Sequence, residues 1–223
     1  MKSDTNKSNA KIYAFPIILM IILWVILFLP AGTIKFWQAW ILWSGFSLIT
    51  LFIAVYFTKK NPEFLARRSK TKEKETAKTP TFFKLYFISF ILPGIDFYFN
   101  WSKEPVWLVI ISNLIFFAGY IFIFFVFKQN AYASTVIQVE NKQKVITTGF
   151  YSIVRHPMYS GMVLMSLFMP LALGSYYSLI PALLIIPILV FRIKNEEKTL
   201  LYELQGYSDY CLKTPYRLIP LIW

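Results

Sequence analysis

Two short groups of residues in the second half of the chain carry side chains suited to chemistry. The first group is Arg155 and His156, which stand immediately before Pro157, with Tyr151 and Tyr159 close by. Proline suits the first turn of a helix, because it lacks the N–H group that would be left without a partner there. The pattern therefore predicts a cation, an imidazole and two phenols at a helix start, beside the N–H groups that the helix leaves free.

The second group, about forty residues later in the chain, is the charged stretch 192–197, which contains Arg192, Glu196 and Glu197. The residues between the two groups are mostly apolar and are broken at Gly174 and Ser175, so they predict a hairpin of two short helices. A hairpin returns the chain to the side that it left, and the two groups should therefore lie together. Carboxylates there would suit an ammonium group, and guanidinium groups would suit an anion.

Spacing alone leaves an alternative for part of this second group. Arg192 and Glu196 stand four residues apart, and residues at that spacing are neighbours on one helix face. The two side chains could then neutralise each other at the surface without binding a ligand.

The elements that must position both groups are predicted to be transmembrane helices. Of the 223 residues, 57% are hydrophobic and 15% are charged, whereas an ordinary soluble domain has roughly 25% charged residues. Several apolar runs approach or exceed the ~20 residues that a helix needs to cross the hydrocarbon core. We therefore expect an all-α polytopic membrane protein, with the lipid bilayer as its main partner.

The apolar runs divide the chain into two predicted regions. Region 1–127 is the N-terminal transmembrane region, in which a hairpin and two further spans surround a basic cytoplasmic loop, 58–81. Region 128–223 is the catalytic region, which contains a cytoplasmic connector, the membrane hairpin at about 157–191 and a polar tail. The four predicted spans of the first region are 12–30, 36–57, 82–99, which is interrupted at Pro93-Gly94, and 106–127.

The distribution of the cations predicts the orientation. Of the 23 lysines and arginines, only Lys35 and Lys103 fall on the side opposite to the basic loop. Because cytoplasmic segments are enriched in cations, the N-terminus and the C-terminus are both predicted to be cytoplasmic. We expect the plasma membrane of a prokaryote, and the net charge of +12 needs no nucleic-acid partner. Asp96, near the outer end of the third span, is predicted to be interfacial and solvated.

Several kinds of site are excluded by residue counts. Cys211 and His156 are the only cysteine and the only histidine, so the chain has no internal disulfide, no thiolate zinc site and no histidine-rich cluster. No metal is therefore expected. The glycine-rich G-x-G-x-x-G fingerprint of dinucleotide-binding sheets is absent from the sequence as well.

The motifs resemble one group of integral membrane enzymes. They are the run Arg155-His156-Pro157-Met158-Tyr159-Ser160-Gly161, the pair Glu196-Glu197, and an ending with Tyr207-x-x-Tyr210 and Arg217-Leu218-Ile219-Pro220. This combination resembles the isoprenylcysteine carboxyl methyltransferase and phospholipid methyltransferase group, most sharply over 145–223. More loosely, the whole chain is similar to small prokaryotic members. The resemblance implies an S-adenosylmethionine-dependent methyltransferase that acts on a lipophilic or prenyl-type substrate, with O-methylation of an isoprenylcysteine carboxylate as the expected activity.

The resemblance also implies roles for individual residues. S-adenosylmethionine would lie between the hairpin ends and the tail, with its amino group on Glu197 or Glu196. Arg155 and Arg192 would be available for the anionic group of the substrate, so that Arg155, Arg192 and Glu197 form the catalytic set. The cofactor-binding residues implied are Gly149, Tyr151, His156, Tyr159, Gly161, Glu196 and Glu197.

The methyl acceptor stays open at this point. A carboxylate acceptor needs no base, whereas an amine or a thiol must lose a proton, for which His156 or a glutamate is a candidate. A prenylated cysteine carboxylate, a phospholipid amine and another lipophilic molecule are all compatible with the sequence. Oligomeric state is not predicted.

Two other functions are considered. The run 214–220 also resembles the ending of the membrane sterol reductases, which implies an NADPH-dependent reductase, although those enzymes are considerably longer. A non-catalytic membrane protein that retains the fold is the second alternative. Transport is disfavoured, because the charged residues cluster at the cytoplasmic face and not at mid-membrane.

Overall fold

The computed structural model describes residues 2–68, 79–130, 132 and 143–223. No strand occurs in this described part of the chain, so the prediction of an all-helical fold is confirmed. The helical elements are α1 (Lys2–Ala31), α2 (Trp37–Lys60), α3 (Pro62–Arg68), α4 (Thr79–Phe99), α5 (Val106–Gln129), a 3₁₀ turn (Gly149–Ser152), α6 (Pro157–Ala172), α7 (Leu179–Glu203) and α8 (Tyr207–Lys213).

The predicted spans correspond to helices of the structure. Helices α1, α2, α4 and α5 cover the four spans of the first region, and α6 and α7 form the hairpin. The short helix α3 lies in the basic loop, where the sequence predicts no helix. The rest of that loop, 69–78, and residues 133–142 of the connector lie outside the described residues.

The outward faces of the helices are apolar. In the described part of the chain, α2 and α5 are each long and apolar enough to cross a membrane, while the apolar part of α1, Pro16–Ala31, and α6 are shorter. Leu48 on α2 and Leu114 on α5 are among many large apolar side chains that are exposed. Such a belt suits hydrocarbon and not water, which is consistent with an integral membrane protein.

The break predicted at Pro93-Gly94 is wrong, because α4 continues through both residues. The glycine has a packing function instead. A Cβ at Gly94 would lie 2.8 Å from the main-chain oxygen of Leu27 in α1. Its absence lets the backbones of α1 and α4 approach closely, as small residues do at helix contacts in membranes.

The contact between α5 and α6 fixes the hairpin that carries the site. A Cβ at Gly161 would lie 2.5 Å from Cγ1 of Ile123, and one at Gly119 would lie 3.1 Å from Cγ of Met165. Near the opposite end of α6, Asn113 Nδ2 donates a hydrogen bond to the main-chain oxygen of Ala172 at 2.9 Å. Helix α6 of the hairpin is therefore fixed against α5 near both of its ends.

The prediction of a solvated Asp96 is also wrong, because this side chain is 1% exposed. Its carboxylate accepts hydrogen bonds from Ser102 N at 2.7 Å, from Ser102 Oγ at 2.6 Å and from Ser175 Oγ at 2.5 Å. Ser175 stands 79 residues later in the chain. The aspartate thus joins the end of α4 to the loop before α5 and to the turn between α6 and α7.

Candidate functional site

The Arg155-His156 corner is held by a segment that lies far away in the sequence. This segment, residues 214–223, is called here the closing segment. Arg155 N donates to the main-chain oxygen of Tyr216, and His156 N donates to that of Arg217, both at 2.9 Å. His156 is then the N-cap of α6, with Pro157 at its first position, as the sequence predicts. Main-chain hydrogen bonds alone therefore fix the backbone of the corner.

Glu197 joins the corner to α7. Its Oε1 accepts a hydrogen bond from Arg155 Nε at 2.7 Å and lies 3.3 Å from His156 Nε2. Its Oε2 accepts from Arg217 Nε at 2.7 Å. The hairpin thus brings together the two groups that the sequence predicts to meet, and Arg217 of the closing segment joins them.

The surroundings of Glu197 keep it ionised. This residue lies in α7 beyond the apolar stretch 179–191. Burial raises the pKa of Glu197, but hydrogen bonds from His156 and Arg217, together with the charges of His156 and Arg155, outweigh burial and lower that pKa to about 2. A carboxylate accepts hydrogen bonds and does not donate them, so His156 Nε2 is the donor in this pair.

Arg155 is directed into the protein. Besides its bond to Glu197, its Nη1 donates to the main-chain oxygens of Thr214 at 3.1 Å and of Cys211 at 3.4 Å. The guanidinium therefore ties α7, α8 and the closing segment together. A buried arginine with these partners positions other groups, because its Nε and Nη1 donors are already used within the protein.

Glu196 belongs to a second set of contacts. Tyr159 donates from its hydroxyl to Glu196 Oε2 at 2.8 Å, and Arg192 Nε donates to the same hydroxyl at 3.0 Å. The Glu196 side chain is 27% exposed, compared with 8% for Glu197. Tyr159 therefore links Arg192 to Glu196, and this second glutamate remains accessible.

These residues surround a cleft that opens toward the connector. The cleft is partly open to solvent, and the empty space in and around it is about 870 Å³. Six of the predicted site residues line it, namely Tyr151, Arg155, His156, Tyr159, Arg192 and Glu196.

Tyrosines form one wall of the cleft. Tyr210 donates from its hydroxyl to the main-chain oxygen of Tyr151 at 2.7 Å, and Asn130 Nδ2 donates to the Tyr151 hydroxyl at 2.9 Å. Burial raises the pKa of Tyr151 to about 12, and it also raises the pKa of Tyr207 and of Tyr210. This wall is therefore uncharged at neutral pH and offers aromatic faces.

Three predicted cofactor residues do not line the cleft. They are Glu197, which is buried against Arg155 and His156, and two glycines. Gly161 faces α5, where its missing Cβ makes room for Ile123. Gly149 has a φ of +56°, a backbone conformation that glycine adopts readily, and it packs against the side chain of Gln129. The amide of Gln129 bonds to Thr148 O and Phe150 N on either side of that glycine. Both glycines thus have packing roles in the elements around the site.

The sequence also left some site residues without a role. Arg217 belongs to the Arg-Leu-Ile-Pro motif, but its bond to Glu197 is long-range and no periodicity reveals it. Asn130, Gln143 and Lys144 also line the cleft, and each stands in the polar connector without a motif around it. Within the described ranges, no group of three His, Cys, Asp or Glu side chains could hold a metal ion.

A comparison with family models finds one match. Residues 108–202 match the model of the isoprenylcysteine carboxyl methyltransferase family. The matched part runs from α5 almost to the end of α7, so it includes the Arg155-His156 corner and both glutamates. Among curated proteins, no sequence match was found.

The fold is similar to that of a solved membrane enzyme. That structure is described as the eukaryotic intramembrane Ras methyltransferase ICMT, an isoprenylcysteine carboxyl methyltransferase, without a monobody. The similarity has a TM-score of 0.64 at 21% sequence identity, and it covers 90% of this chain and 74% of the other. At this level of identity the comparison establishes a common fold.

Proposed function

We propose that this chain is a member of the isoprenylcysteine carboxyl methyltransferase family, whose model matches residues 108–202, and that it uses the cleft beside the Arg155-His156 corner to bind S-adenosylmethionine. The chain is a membrane methyltransferase, and its expected reaction is O-methylation of a lipophilic carboxylate. One observation carries the assignment of the site. Glu197 contacts Arg155 and His156 at the corner, and Glu196 accepts a hydrogen bond from Tyr159 beside the same cleft.

The cleft suits this cofactor in charge and in shape. Glu196 presents a partly exposed carboxylate to it, which suits an ammonium group. Tyr151, Tyr207 and Leu204 offer a flat, mostly apolar wall that suits an adenine ring. When bound, S-adenosylmethionine would supply a methyl group on a sulfonium, so that the protein has mainly to position the acceptor and exclude water.

The two glutamates differ in their hydrogen-bond partners. Both carboxylate oxygens of Glu197 are already used by Arg155, His156 and Arg217. Glu196 is oriented by Tyr159 and faces the cleft. We therefore assign the amino group of the cofactor to Glu196, and we assign to Glu197 the role of bracing the corner.

Arg192 is the cation proposed to hold the acceptor. It lines the cleft where α7 leaves its apolar stretch, and its Nε donates to Tyr159. A guanidinium can pair with both oxygens of a carboxylate through its planar fork. A carboxylate acceptor needs no base, and His156, whose Nε2 donates to Glu197, would then act as a structural donor and not as a proton acceptor.

The substrate is expected to enter from the bilayer. Met158 lines the cleft and also packs against the buried clusters between α6 and α7, so the polar site adjoins apolar helices. An isoprenylcysteine fits this arrangement, because its carboxylate is stabilised by polar surroundings and its prenyl chain by apolar ones. The cation distribution supports a cytoplasmic mouth and cytoplasmic termini. The proposed location is the plasma membrane of a prokaryote.

The other two functions are not favoured. The family match is to a methyltransferase family, which favours methyl transfer over nicotinamide-dependent reduction. A non-catalytic protein would be expected to lose the Arg-His corner or the glutamate pair, and this chain retains both in contact.

The test is methyl transfer in proteoliposomes. Purified protein would be given methyl-labelled S-adenosylmethionine and an S-farnesylcysteine with a free carboxylate, and the matched control acceptor would carry a carboxamide instead. We expect a base-labile methyl ester on the first acceptor only. Label on phospholipid amines, or equal labelling of both acceptors, would contradict O-methylation.

A further inference from the structure

The closing segment packs beside the apolar stretch of α7. Leu218 is buried in one cluster with Tyr159 of α6 and with Ile185 and Leu189 of α7. Those two α7 residues precede Arg192 by seven and three positions, or ~10 and ~5 Å along the helix axis. Ser160, in the first turn of α6, donates from Oγ to the main-chain oxygen of Leu218 at 2.6 Å. The segment therefore docks beside the apolar parts of both hairpin helices.

A tight turn follows Leu218 and points apolar side chains outward. The main-chain oxygen of Trp223 accepts hydrogen bonds from the N–H groups of Arg217, Leu218 and Ile219 at 2.8–3.1 Å, which closes the turn. Within it, Leu221 is 84% exposed and Ile222 is 75% exposed. Adjacent aliphatic side chains of this size are unfavourable in water.

The backbone of this turn is strained at one of those residues. Leu221 has a φ of +67°, which is uncommon for a bulky residue other than glycine. Strain of this kind persists where the surroundings impose it, and it clusters at functional sites. Because the Leu221 side chain is almost fully exposed, packing within the protein does not account for it.

We propose that the turn 219–222 is seated in the bilayer interface, with the boundary between headgroups and acyl chains as its partner. The turn is continuous with the lipid-facing surface of α4. Leu85 of α4 packs against the cluster that contains Leu218, and the next residues outward, Phe87 and Ile88, are exposed. The guanidinium of Arg217 lies 5.3 Å from the ring centre of Trp223, a pair of residue types that membrane interfaces favour.

The same segment holds the candidate site. Arg217 Nε bonds to Glu197, and the main-chain oxygens of Tyr216 and Arg217 hold the N–H groups of Arg155 and His156. Seating the turn in lipid therefore orders the corner that carries the cofactor site. The seating itself is independent of the proposed function, and only its coupling to the cofactor rests on that function.

The seating is tested with a fluorescent probe of lipid contact. Leu221→Cys would be made in a Cys211→Ser background, which removes the one native cysteine, labelled with an environment-sensitive fluorophore and reconstituted into phosphatidylethanolamine and phosphatidylglycerol vesicles. Tyr202→Cys is the matched control, because Tyr202 is 92% exposed near the end of α7, far beyond the apolar stretch.

Two quenchers distinguish the outcomes. We expect a nitroxide on the acyl chains to quench the label at position 221 several-fold more than the label at 202, and aqueous iodide to show the reverse order. Equal iodide quenching at both positions would place the turn in water. A label at 221 that neither quencher reaches would show a protein partner or a second copy of the chain. Either result would overturn the proposal.

The coupling is tested by Leu221→Gly, which removes the side chain and relieves the strained φ, so that loss of folding is not expected. In vesicles we expect its Kd for S-adenosylmethionine to rise about 5-fold, with an unchanged melting temperature in detergent. Tyr202→Gly, at the control position, should leave the Kd unchanged. If native protein binds the cofactor and Leu221→Gly binds it equally well, the coupling is wrong. If native protein does not bind it, the proposed function fails, and the quenching result still decides the seating.

Discussion

Arg155 and Glu197 stand 42 residues apart in the sequence, yet their side chains are joined by a 2.7 Å hydrogen bond from Nε to Oε1, with both residues buried. The bond closes the open end of the α6–α7 hairpin. Glu196, the neighbour of Glu197, is oriented by Tyr159 toward the cleft. We therefore propose different functions for the two adjacent glutamates, Glu197 as an internal brace and Glu196 as a carboxylate that contacts the ligand, and this division can be tested.

Glu196→Gln should weaken cofactor binding without unfolding the protein. Loss of a charge-assisted hydrogen bond costs roughly 1.5–3 kcal/mol, or about 10-fold to 100-fold in Kd. Isothermal titration with S-adenosylmethionine in detergent measures the Kd, and the melting temperature reports folding. Glu203→Gln, at an exposed position of the same helix, is the control. A Kd equal to that of native protein would remove Glu196 from the site.

Glu197→Gln should instead destabilise the protein. Removing the charge leaves Arg155 and Arg217 without their shared carboxylate, and breaking a buried pair from one side costs about 3–5 kcal/mol. The melting temperature in detergent should fall well below that of Glu196→Gln. If the two variants melted at the same temperature, Glu197 would not be a brace.

The same brace predicts a dependence on acid pH. The pKa of Glu197 is lowered from 4.5 to about 2. A lowered carboxylate pKa contributes stability that is complete above the unfolded pKa and is lost as the pH falls toward the folded pKa. The difference in melting temperature between native protein and Glu197→Gln should therefore be constant from pH 6 to 8 and shrink below about pH 4.5. A difference that shrinks near pH 7 would contradict this account.

Glu104, in the loop before α5, should destabilise the protein at high pH. Both of its carboxylate oxygens are enclosed without a hydrogen-bond partner among the described residues, and burial, with the charge of Asp96, raises its pKa to about 7. Between the unfolded pKa of about 4.5 and pH 7, the folded state keeps a proton that the unfolded state releases, so stability falls as the pH rises.

Glu104→Gln should therefore flatten the decline in melting temperature between pH 5 and pH 8. Asp209→Asn, at an exposed position on α8, serves as the control and should leave the slope unchanged. Parallel curves for native protein and Glu104→Gln would show that Glu104 is ionised throughout.

Gly161→Ala tests whether this glycine packs against α5 or lines the cofactor site. The added methyl group would lie 2.5 Å from Cγ1 of Ile123, and overpacking of this kind costs typically 1–3 kcal/mol. We expect a lowered melting temperature that Ile123→Ala partly restores in the double variant. No restoration, together with a weakened Kd for the cofactor, would place Gly161 at the site instead.

The sequence predicts the hairpin and the meeting of its ends because both follow from local features: an apolar run that is too long for one span, and a break at Gly174. It also contains an unused signal for the two glutamates. Glu197 continues the buried stripe of Ile185, Leu189 and Ile193 at intervals of four residues, and residues at that spacing share one helix face. A neighbouring residue on a helix projects from a different face. Glu196, directly before Glu197, accordingly faces the cleft.

Other features depend on contacts that no local pattern contains. Asp96 accepts a hydrogen bond from Ser175, which stands 79 residues later. Because this partner is distant in the sequence, an aspartate near the end of a span is predicted to be solvated when it is in fact buried and paired. Arg217 reaches Glu197 from a segment without helical periodicity. The prediction of a break at Pro93-Gly94 is wrong for the same reason, because Gly94 packs against the backbone of the neighbouring helix α1.

The most direct test of the site is a thermodynamic cycle on the cofactor amino group. Titration calorimetry would compare S-adenosylhomocysteine with its analogue lacking the α-amino group, against native protein and Glu196→Gln. The account predicts that native protein loses about 10-fold or more in affinity for the analogue, whereas Glu196→Gln binds both molecules with similar Kd. Equal losses in both proteins would show that another group receives the amine, and the assignment of Glu196 would be wrong.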